Sequence, residues 1–264
     1  MDFWRSDTDL CAAETVKMLL VVNDLTKYFG GVAALRNVSF EVEKGELSSI
    51  IGPNGAGKST LFNALTGYVK KDGGKVVFNG ENITYLEPYE ICRKGIGRSF
   101  QKVNIFPGLS VFQNVQISVI CGRGKGLRFI APYSRLSNQE TCAIIDSVGL
   151  MNARTFLAEE LSYGDQKRLE IAIAMANKPK MLLLDEPTAG MSVEETKVMI
   201  KLIKELVDKL ELAVIIVEHD MEVVFSISRK IRVLHGGKII AEGSPDEIKK
   251  NKEVQSIYLG EEGI

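Results

Sequence analysis

The chain has 264 residues, of which 45% are hydrophobic and 25% are charged, and this composition excludes collagen-like, mucin-like and intrinsically disordered proteins. The 33 lysines and arginines nearly cancel the 34 aspartates and glutamates, and the resulting net charge of −1 argues against a nucleic-acid partner. No apolar run approaches the roughly 18 residues that a bilayer-spanning helix needs, so we expect no membrane span.

The first 17 residues carry several acidic side chains and no apolar core, so they do not resemble a secretory signal. We expect a disordered tail over residues 1–17 and one domain over residues 18–264, with Met18 as a candidate natural start. The cysteines are scattered and form no C-x-x-C pair, which is typical of a reduced, cytosolic protein without disulfides or zinc. They are Cys11, Cys92, Cys121 and Cys142.

Strand-like and helix-like segments then alternate along the chain, which is typical of an α/β core. A helix is predicted over Lys58–Leu65, and His235-Gly236-Gly237 predicts a short hairpin turn between the last two strands. The predicted strands are Leu19–Val22, Val38–Val42, Leu47–Ile51, Lys75–Phe78, Met181–Leu184, Val214–Val217, Ile231–Leu234 and Lys238–Ala241.

The middle of the chain has little strand character. Val111–Ile120 and Gln139–Val148 are predicted helices, separated by a segment that includes the glycine-rich, basic stretch Gly122–Gly126. We interpret this stretch as a solvated loop rather than a phosphate cradle, because no strand precedes it. The sequence therefore predicts a helical subdomain, over about residues 101–165, inserted into the α/β core.

The strongest motif is Gly52–Ser59, which matches G-x-x-x-x-G-K-[ST] completely and stands between a predicted strand and a predicted helix. Glycines allow backbone N–H groups to approach phosphate oxygens closely, and the helix directs its positive end at the anion. We expect Lys58 to supply a mobile charge to the β- and γ-phosphates and the Ser59 hydroxyl to ligate Mg²⁺. The motif predicts a nucleotide site.

An acidic pair follows the apolar run Met181–Leu184. Asp185 would deliver a carboxylate to Mg²⁺ at the end of a buried strand, and Glu186 is placed to orient or deprotonate the attacking water. An Asp-Glu pair alone usually marks a solvated turn, and the upstream phosphate loop is what favours the catalytic interpretation.

A third motif, Leu161–Gln166, begins a predicted helix with Ser162 and Asp165 in a capping-box-like arrangement. By itself it is typical of an ordinary capped helix. Its place upstream of Asp185 completes an order of motifs that resembles the ATP-binding cassette (ABC) ATPase family. The resemblance runs from about Leu19 to Gly260.

The resemblance implies a P-loop NTPase core, with a mixed sheet flanked by helices, an antiparallel β subdomain and the inserted helices. It also implies roles for three further residues: Gln101 senses Mg²⁺ and the water, His219 contacts the γ-phosphate, and Phe29 stacks on adenine, with Tyr28 as the alternative. The ATP-binding set would then comprise Phe29, Asn54, Gly55, Ala56, Gly57, Lys58, Ser59 and Thr60.

Family architecture further implies a head-to-tail pair of ATPase subunits, in which Ser162 and Gly164 of one subunit face the γ-phosphate bound by the other. Ser192 stands where the family normally has an aspartate, which weakens any expectation about communication between the two nucleotide sites. The apolar residues near the insert are either a docking face for membrane subunits or subdomain core. These are Ile105, Phe106, Leu109 and Phe112.

Within the family, several stretches look most similar to the ATPase subunits of branched-chain amino acid importers. They are Ile51–Gly67, Gly97–Phe106, Tyr163–Gln166, Glu218–Met221, Ile240–Gly243 and Ile257–Gly260. The resemblance implies a peripheral protein on the cytoplasmic face of the membrane that works with a second ATPase, two integral membrane permeases and, indirectly, a solute-binding protein. Urea or amide importers, lipopolysaccharide exporters, a soluble ATPase of the repair or translation-factor kind and a nucleotide-gated scaffold are the alternatives.

Overall fold

The computed structural model describes residues 18–99, 104–122 and 132–259. The predicted tail, Gln101, most of the glycine-rich stretch after Gly122 and Gly260 lie outside the described residues. The first half of the described chain contains β1 (Met18–Phe29), β2 (Val32–Glu43), β3 (Leu47–Ile51), α1 (Lys58–Leu65), β4 (Gly73–Phe78), β5 (Glu81–Asn82), α2 (Pro88–Lys94), β6 (Ile96–Arg98) and α3 (Val111–Gly122).

The second half begins with a long helix and returns to alternating strands and helices. It contains α4 (Pro132–Ser147), α5 (Tyr163–Met175), β7 (Met181–Asp185), α6 (Val193–Leu210), β8 (Ala213–Val217), α7 (Met221–Ile227), β9 (Lys230–His235), β10 (Lys238–Gly243), α8 (Pro245–Lys250) and α9 (Lys252–Leu259). Each predicted strand and helix is confirmed, with β1 extending well beyond the predicted Leu19–Val22.

The strands form two sheets. A four-stranded antiparallel sheet has the order β2-β1-β4-β5, and a six-stranded sheet has the order β10-β9-β3-β8-β7-β6. In the larger sheet only the β9–β10 pair is antiparallel. The predicted α/β fold with a mixed sheet and an antiparallel subdomain is therefore confirmed.

The central strands are buried on both faces because two different cores pack against them. Along β7, Met181 and Leu183 belong to the core shared with α1 and the antiparallel sheet, whereas Leu182 and Leu184 belong to the core shared with α5 and α6. This alternation follows from the two-residue period of a strand, and burial on both faces is typical of parallel sheets.

The helices α3, α4 and α5 enlarge the second core. Ile105 and Phe112 pack against it, whereas the Phe106 side chain is 55% exposed. The predicted insert ends at residue 165, but α5 continues to Met175 because it also packs on the central sheet through residues such as Leu169 and Ala172.

Strand register decides where the functional motifs meet. Val217 at the end of β8 pairs with Ile50 of β3 on one side and with Asp185 of β7 on the other. The segments that follow these three strands therefore leave the sheet at the same edge, which is where parallel α/β sheets bind their ligands.

Candidate active site

The phosphate loop, Gly52–Ser59, leads from β3 directly into α1. Gly57 precedes the helix with φ +108°, and a Cβ there would lie 2.6 Å from the Ala34 carbonyl oxygen of β2. At Gly55 (φ +79°) a Cβ would have no described atom within 4 Å, so this face of the loop is open to a ligand. No side chain of the described residues caps α1, so its first N–H groups point at the same space.

Lys58, the first residue of α1, is 7% exposed. Its Nζ donates to the carbonyl oxygens of Gly52 and Pro53, the latter at 2.9 Å. The ammonium group is therefore held over the loop by backbone acceptors that phosphate oxygens could replace.

The phosphate loop and the ends of β7 and β8 enclose one cavity of about 260 Å³. The cavity brings together predicted residues from three separate motifs, and it adds Ala34 and Val217, which the sequence did not single out. Its lining residues are Ala34, Asn54, Gly55, Ala56, Gly57, Lys58, Ser59, Thr60, Glu186, Val217 and His219.

Glu186 and His219 are in direct contact inside this cavity. The Nε2 of His219 lies 2.9 Å from the Oε1 of Glu186, and the Glu186 N–H donates to the Val217 carbonyl oxygen at 2.9 Å. Glu186 has φ +50°, a left-handed conformation that non-glycine residues rarely adopt. Such strain at a carboxylate that faces a cavity is a feature of functional sites.

Asp185, the residue before Glu186, is buried at 5% exposure and is not among the described residues that line this cavity. The Oδ2 of Asp185 lies 3.7 Å from the Nη2 of Arg98. The backbone N–H of Asp185 donates to the Ser99 hydroxyl at 3.1 Å. Burial raises the pKa of Asp185, and the Arg98 guanidinium opposes that shift. Arg98 at the end of β6 thus holds the side chain of Asp185, and Ser99, the next residue, holds its backbone.

Ser162 and Gly164 lie elsewhere, at the start of α5. The Ser162 hydroxyl accepts the Asp165 N–H at 3.2 Å, as the capping pattern predicts. The two residues help line a second cavity of about 210 Å³ that also includes Arg168 and Glu195. Within one chain, the Leu161–Gln166 motif and the phosphate loop therefore belong to different cavities.

Ser192 caps the helix that borders this second cavity. Its N–H and hydroxyl both donate to the Glu195 Oε2 at 2.9 Å, and these bonds lower the pKa of Glu195. The Oε1 of Glu195 lies so close to Gly164 that a Cβ there would be 2.9 Å away.

Phe29 and Tyr28 lie at the end of β1, about half-exposed, and neither is among the described residues that line the phosphate-loop cavity. Phe29 pairs with Val32 of β2, two residues before Ala34, which does line it. The Phe29 ring is covered by the Lys27 ammonium, 5.3 Å from the ring centroid.

Sequence reasoning missed Arg98, Ser99 and Glu218. Arg98 and Ser99 contact Asp185, and Glu218 accepts a hydrogen bond from the His219 N–H. Arg98 and Ser99 directly precede the Phe100-Gln101 pair, and Glu218 directly precedes His219. Their position next to a motif was the only feature of the sequence that could have indicated a role, because charged residues are ordinarily predicted to be exposed to solvent.

Comparison with known proteins shows the family. A sequence profile described as ABC transporter matches residues 35–189, more than half of the chain. The chain belongs to the ABC transporter family. A second profile, described as branched-chain amino acid ATP-binding cassette transporter, matches residues 238–264. This ABC subunit binds ATP, and its activity is ATP hydrolysis coupled to transport, as the sequence predicted.

Two curated relatives cover nearly the same length. The chain is 39% identical over 250 residues to the high-affinity branched-chain amino acid transport ATP-binding protein LivG of Salmonella typhimurium, covering 92% of this chain and 98% of that protein. It is 38% identical over 252 residues to BraF of Pseudomonas aeruginosa, which carries the same description, with the same coverage.

Solved structures of ABC cassettes share the fold. A nucleotide-free cassette superposes with a TM-score of 0.83 at 34% identity, covering 92% of this chain and 99% of that one. A dimeric cassette in a post-hydrolysis state, bound to ADP and phosphate, gives 0.74 at 27% identity, covering 86% of this chain and 98% of that one. Among the described residues of this ABC subunit, no helix combines the length and the apolar character needed to cross a bilayer.

Proposed function

We propose that this chain is the ATP-hydrolysing subunit of an importer for branched-chain amino acids, acting at the cytoplasmic face of the membrane as a peripheral protein. The contact between Glu186 and His219 above the phosphate loop carries the catalytic part of the proposal. The substrate class is carried by the similarity to LivG and BraF over 92% of the chain.

The phosphate loop would bind the triphosphate through its backbone N–H groups, with Lys58 exchanging its carbonyl partners for β- and γ-phosphate oxygens. The donor set suits Mg²⁺, because a hydroxyl and a carboxylate oxygen are hard ligands and this ion takes few protein ligands beside phosphates and water. Ser59 and Asp185 would hold it, together with Gln101, and when bound it neutralises charge on the phosphates.

Glu186 is the residue placed to accept a proton from water. As the water oxygen bonds to the γ-phosphorus, the bond to the β–γ bridging oxygen breaks, and ADP keeps that electron pair. The His219 imidazole lies 2.9 Å from the Glu186 carboxylate, so each group can orient the other. The same imidazole would contact the γ-phosphate.

A second ATPase subunit would complete the site. In one chain Ser162 and Gly164 line a separate cavity, so the far side of the γ-phosphate lacks these donors until another subunit supplies them. The dimeric relative bound to ADP and phosphate supports this arrangement. Two integral membrane permeases and, indirectly, a solute-binding protein complete the proposed transporter.

Replacing the proposed base tests the catalytic part. Glu186→Gln keeps the side-chain shape, so ATP binding should persist while phosphate release falls by about 10²- to 10⁴-fold, and an ATP-bound dimer should accumulate in size-exclusion chromatography. Glu205→Gln, on the exposed side of α6, is the matched control and should behave as wild type. An unchanged rate of phosphate release in Glu186→Gln would contradict the assignment of the base.

Uptake of labelled solutes tests the substrate class. Cells that lack this chain should lose high-affinity leucine, isoleucine and valine uptake and regain it with the wild-type gene but not with Glu186→Gln. Loss of urea or amide uptake, or failure of lipopolysaccharide export, with leucine uptake intact would favour the other transporter types.

A further inference from the structure

Two loops supply the residues proposed for hydrolysis: residues 186–189 after β7 contribute Glu186 to the cavity, and residues 218–220 after β8 contribute His219. We propose that Glu218 is a positioning residue whose buried carboxylate, bonded to Thr188, clamps these loops together and so holds Glu186 and His219 in contact. This rests on the proposed roles of Glu186 and His219, and it adds a residue that does not itself touch the nucleotide.

The clamp consists of Glu218 and Thr188. The Glu218 Oε1 accepts the Thr188 N–H at 2.9 Å and the Thr188 hydroxyl at 2.6 Å, and its Oε2 accepts the His219 N–H at 3.3 Å. Glu218 is 3% exposed and Thr188 is 7% exposed. Neither is among the described residues that line the phosphate-loop cavity.

The two clamp residues neighbour the two residues proposed for hydrolysis. Thr188 lies two residues after Glu186, and Glu218 is the residue before His219. A shift of Thr188 moves the turn in which the Ala189 N–H donates to the Glu186 carbonyl oxygen, at 3.3 Å. One buried side chain therefore sets the separation of both catalytic groups.

A carboxylate is an expensive residue for this position if packing is its only role. No ion pair with a described residue neutralises Glu218, and burying a charge among neutral donors costs several kcal/mol in general, which a neutral or apolar side chain would avoid. A carboxylate, however, accepts three hydrogen bonds at once, and its bonds are stronger and shorter than those of an amide.

Glu186, whose backbone is strained, also requires a clamp that fixes the geometry of its loop. Glu186 keeps its left-handed backbone only while its surroundings over-determine it. Two other links between the loops are the Glu186–Val217 backbone bond and the Glu186–His219 contact itself. Without the clamp, the imidazole and the carboxylate should drift apart.

The discriminating variants are Thr188→Val, which removes the hydroxyl at nearly constant volume, and Thr188→Ser, which keeps both hydrogen bonds. In phosphate-release assays at saturating MgATP, we expect Thr188→Val to lower kcat by about 10- to 100-fold, since misplacement of catalytic groups by about 1 Å has effects of this size. The Kd for ATP should change less than twofold, and Thr188→Ser should restore kcat. Glu218→Gln, which keeps only part of the acceptor set, should lower kcat in the same direction, so the test survives if Thr188→Val does not fold.

Histidine NMR gives a readout that does not depend on turnover. The chain has two histidines, His219 and His235, so the imidazole signals can be assigned with a single His235→Gln variant. Thr188→Val should shift the His219 signals toward their positions in Glu186→Ala and leave those of His235 unchanged, whereas Thr188→Ser should match wild type.

The outcomes separate the two proposals. Wild-type His219 signals together with wild-type kcat in Thr188→Val and Glu218→Gln would overturn the clamp. Equal losses of kcat and of ATP affinity, not rescued by Thr188→Ser, would also overturn it, because they indicate general damage. If wild type itself released no phosphate, the proposed function would fail, and the histidine spectra would still decide the clamp.

Discussion

Gly237 ties the phosphate loop to the antiparallel sheet through both of its backbone polar groups. Its N–H donates to the Ala56 carbonyl oxygen at 3.0 Å, and its own carbonyl oxygen accepts the Arg36 N–H at 2.8 Å. It has φ +78°, and a Cβ there would meet the Ala34 carbonyl oxygen at 2.8 Å and its carbonyl carbon at 3.1 Å. Gly236 (φ +52°) is its matched control, because a Cβ there has no described atom within 4 Å.

The magnitudes follow from these two environments. An alanine in the left-handed region costs about 1 kcal/mol at either position, and overpacking against backbone adds about 1–3 kcal/mol at Gly237 alone. Gly237→Ala should therefore lower the free energy of unfolding by about 2–4 kcal/mol and Gly236→Ala by about 1 kcal/mol. For a chain of this size, these values correspond to losses in Tm of roughly 4–16 °C and roughly 2–4 °C.

Thermal and urea unfolding of the two variants measure the difference, and titration with a fluorescent ATP analogue measures the effect on the cavity. Because Ala34 lines that cavity, Gly237→Ala should also weaken nucleotide binding, whereas Gly236→Ala should not. Equal destabilisation by the two alanines would refute the reasoning, since it would mean that the sheet yields to the added methyl group at no measurable cost.

Two further predictions concern stability alone. Burial lowers the pKa of Lys71 to about 8 from 10.5, so between these pH values the unfolded chain binds more protons than the folded one. The free energy of unfolding should rise with pH across that window, and urea titrations at pH 8 and pH 10 should show the rise reduced in Lys71→Met. Ser192→Ala removes the acceptor for the Glu195 N–H at the start of α6, and urea unfolding should show a loss of about 1 kcal/mol, against almost none for Ser256→Ala, which caps no helix N-terminus. A loss as large in the control would contradict the capping argument.

The sequence was most informative where local pattern and chemistry coincide. The run Leu47–Ile51 predicted a strand, and the glycines after it predicted a phosphate-binding turn. A buried strand requires consecutive apolar residues, and close approach of the backbone to a ligand requires glycines, so both features can be recognised from neighbouring residues. Likewise, Ser162 predicted a helix start that its side chain now caps. The order of these local motifs along the chain then indicated the family.

Features that depend on distant pairing could not be predicted. The strand β6 is three residues long, too short for a recognisable period, and it exists because Ile96–Arg98 pairs with β7. Arg98 is largely buried because Asp185, far along the chain, faces it. The bond between Glu218 and Thr188 likewise depends on the register of two strands, which no local pattern specifies.

The left-handed backbone of Glu186 has a consequence for laboratory evolution. Asparagine adopts this conformation more readily than glutamate, so a variant with Asn at position 186 would gain folding stability as it lost the carboxylate. A heat-challenge screen that does not also score turnover should therefore enrich inactive proteins at this position, and a thermostable enzyme has to be sought with the residue held fixed.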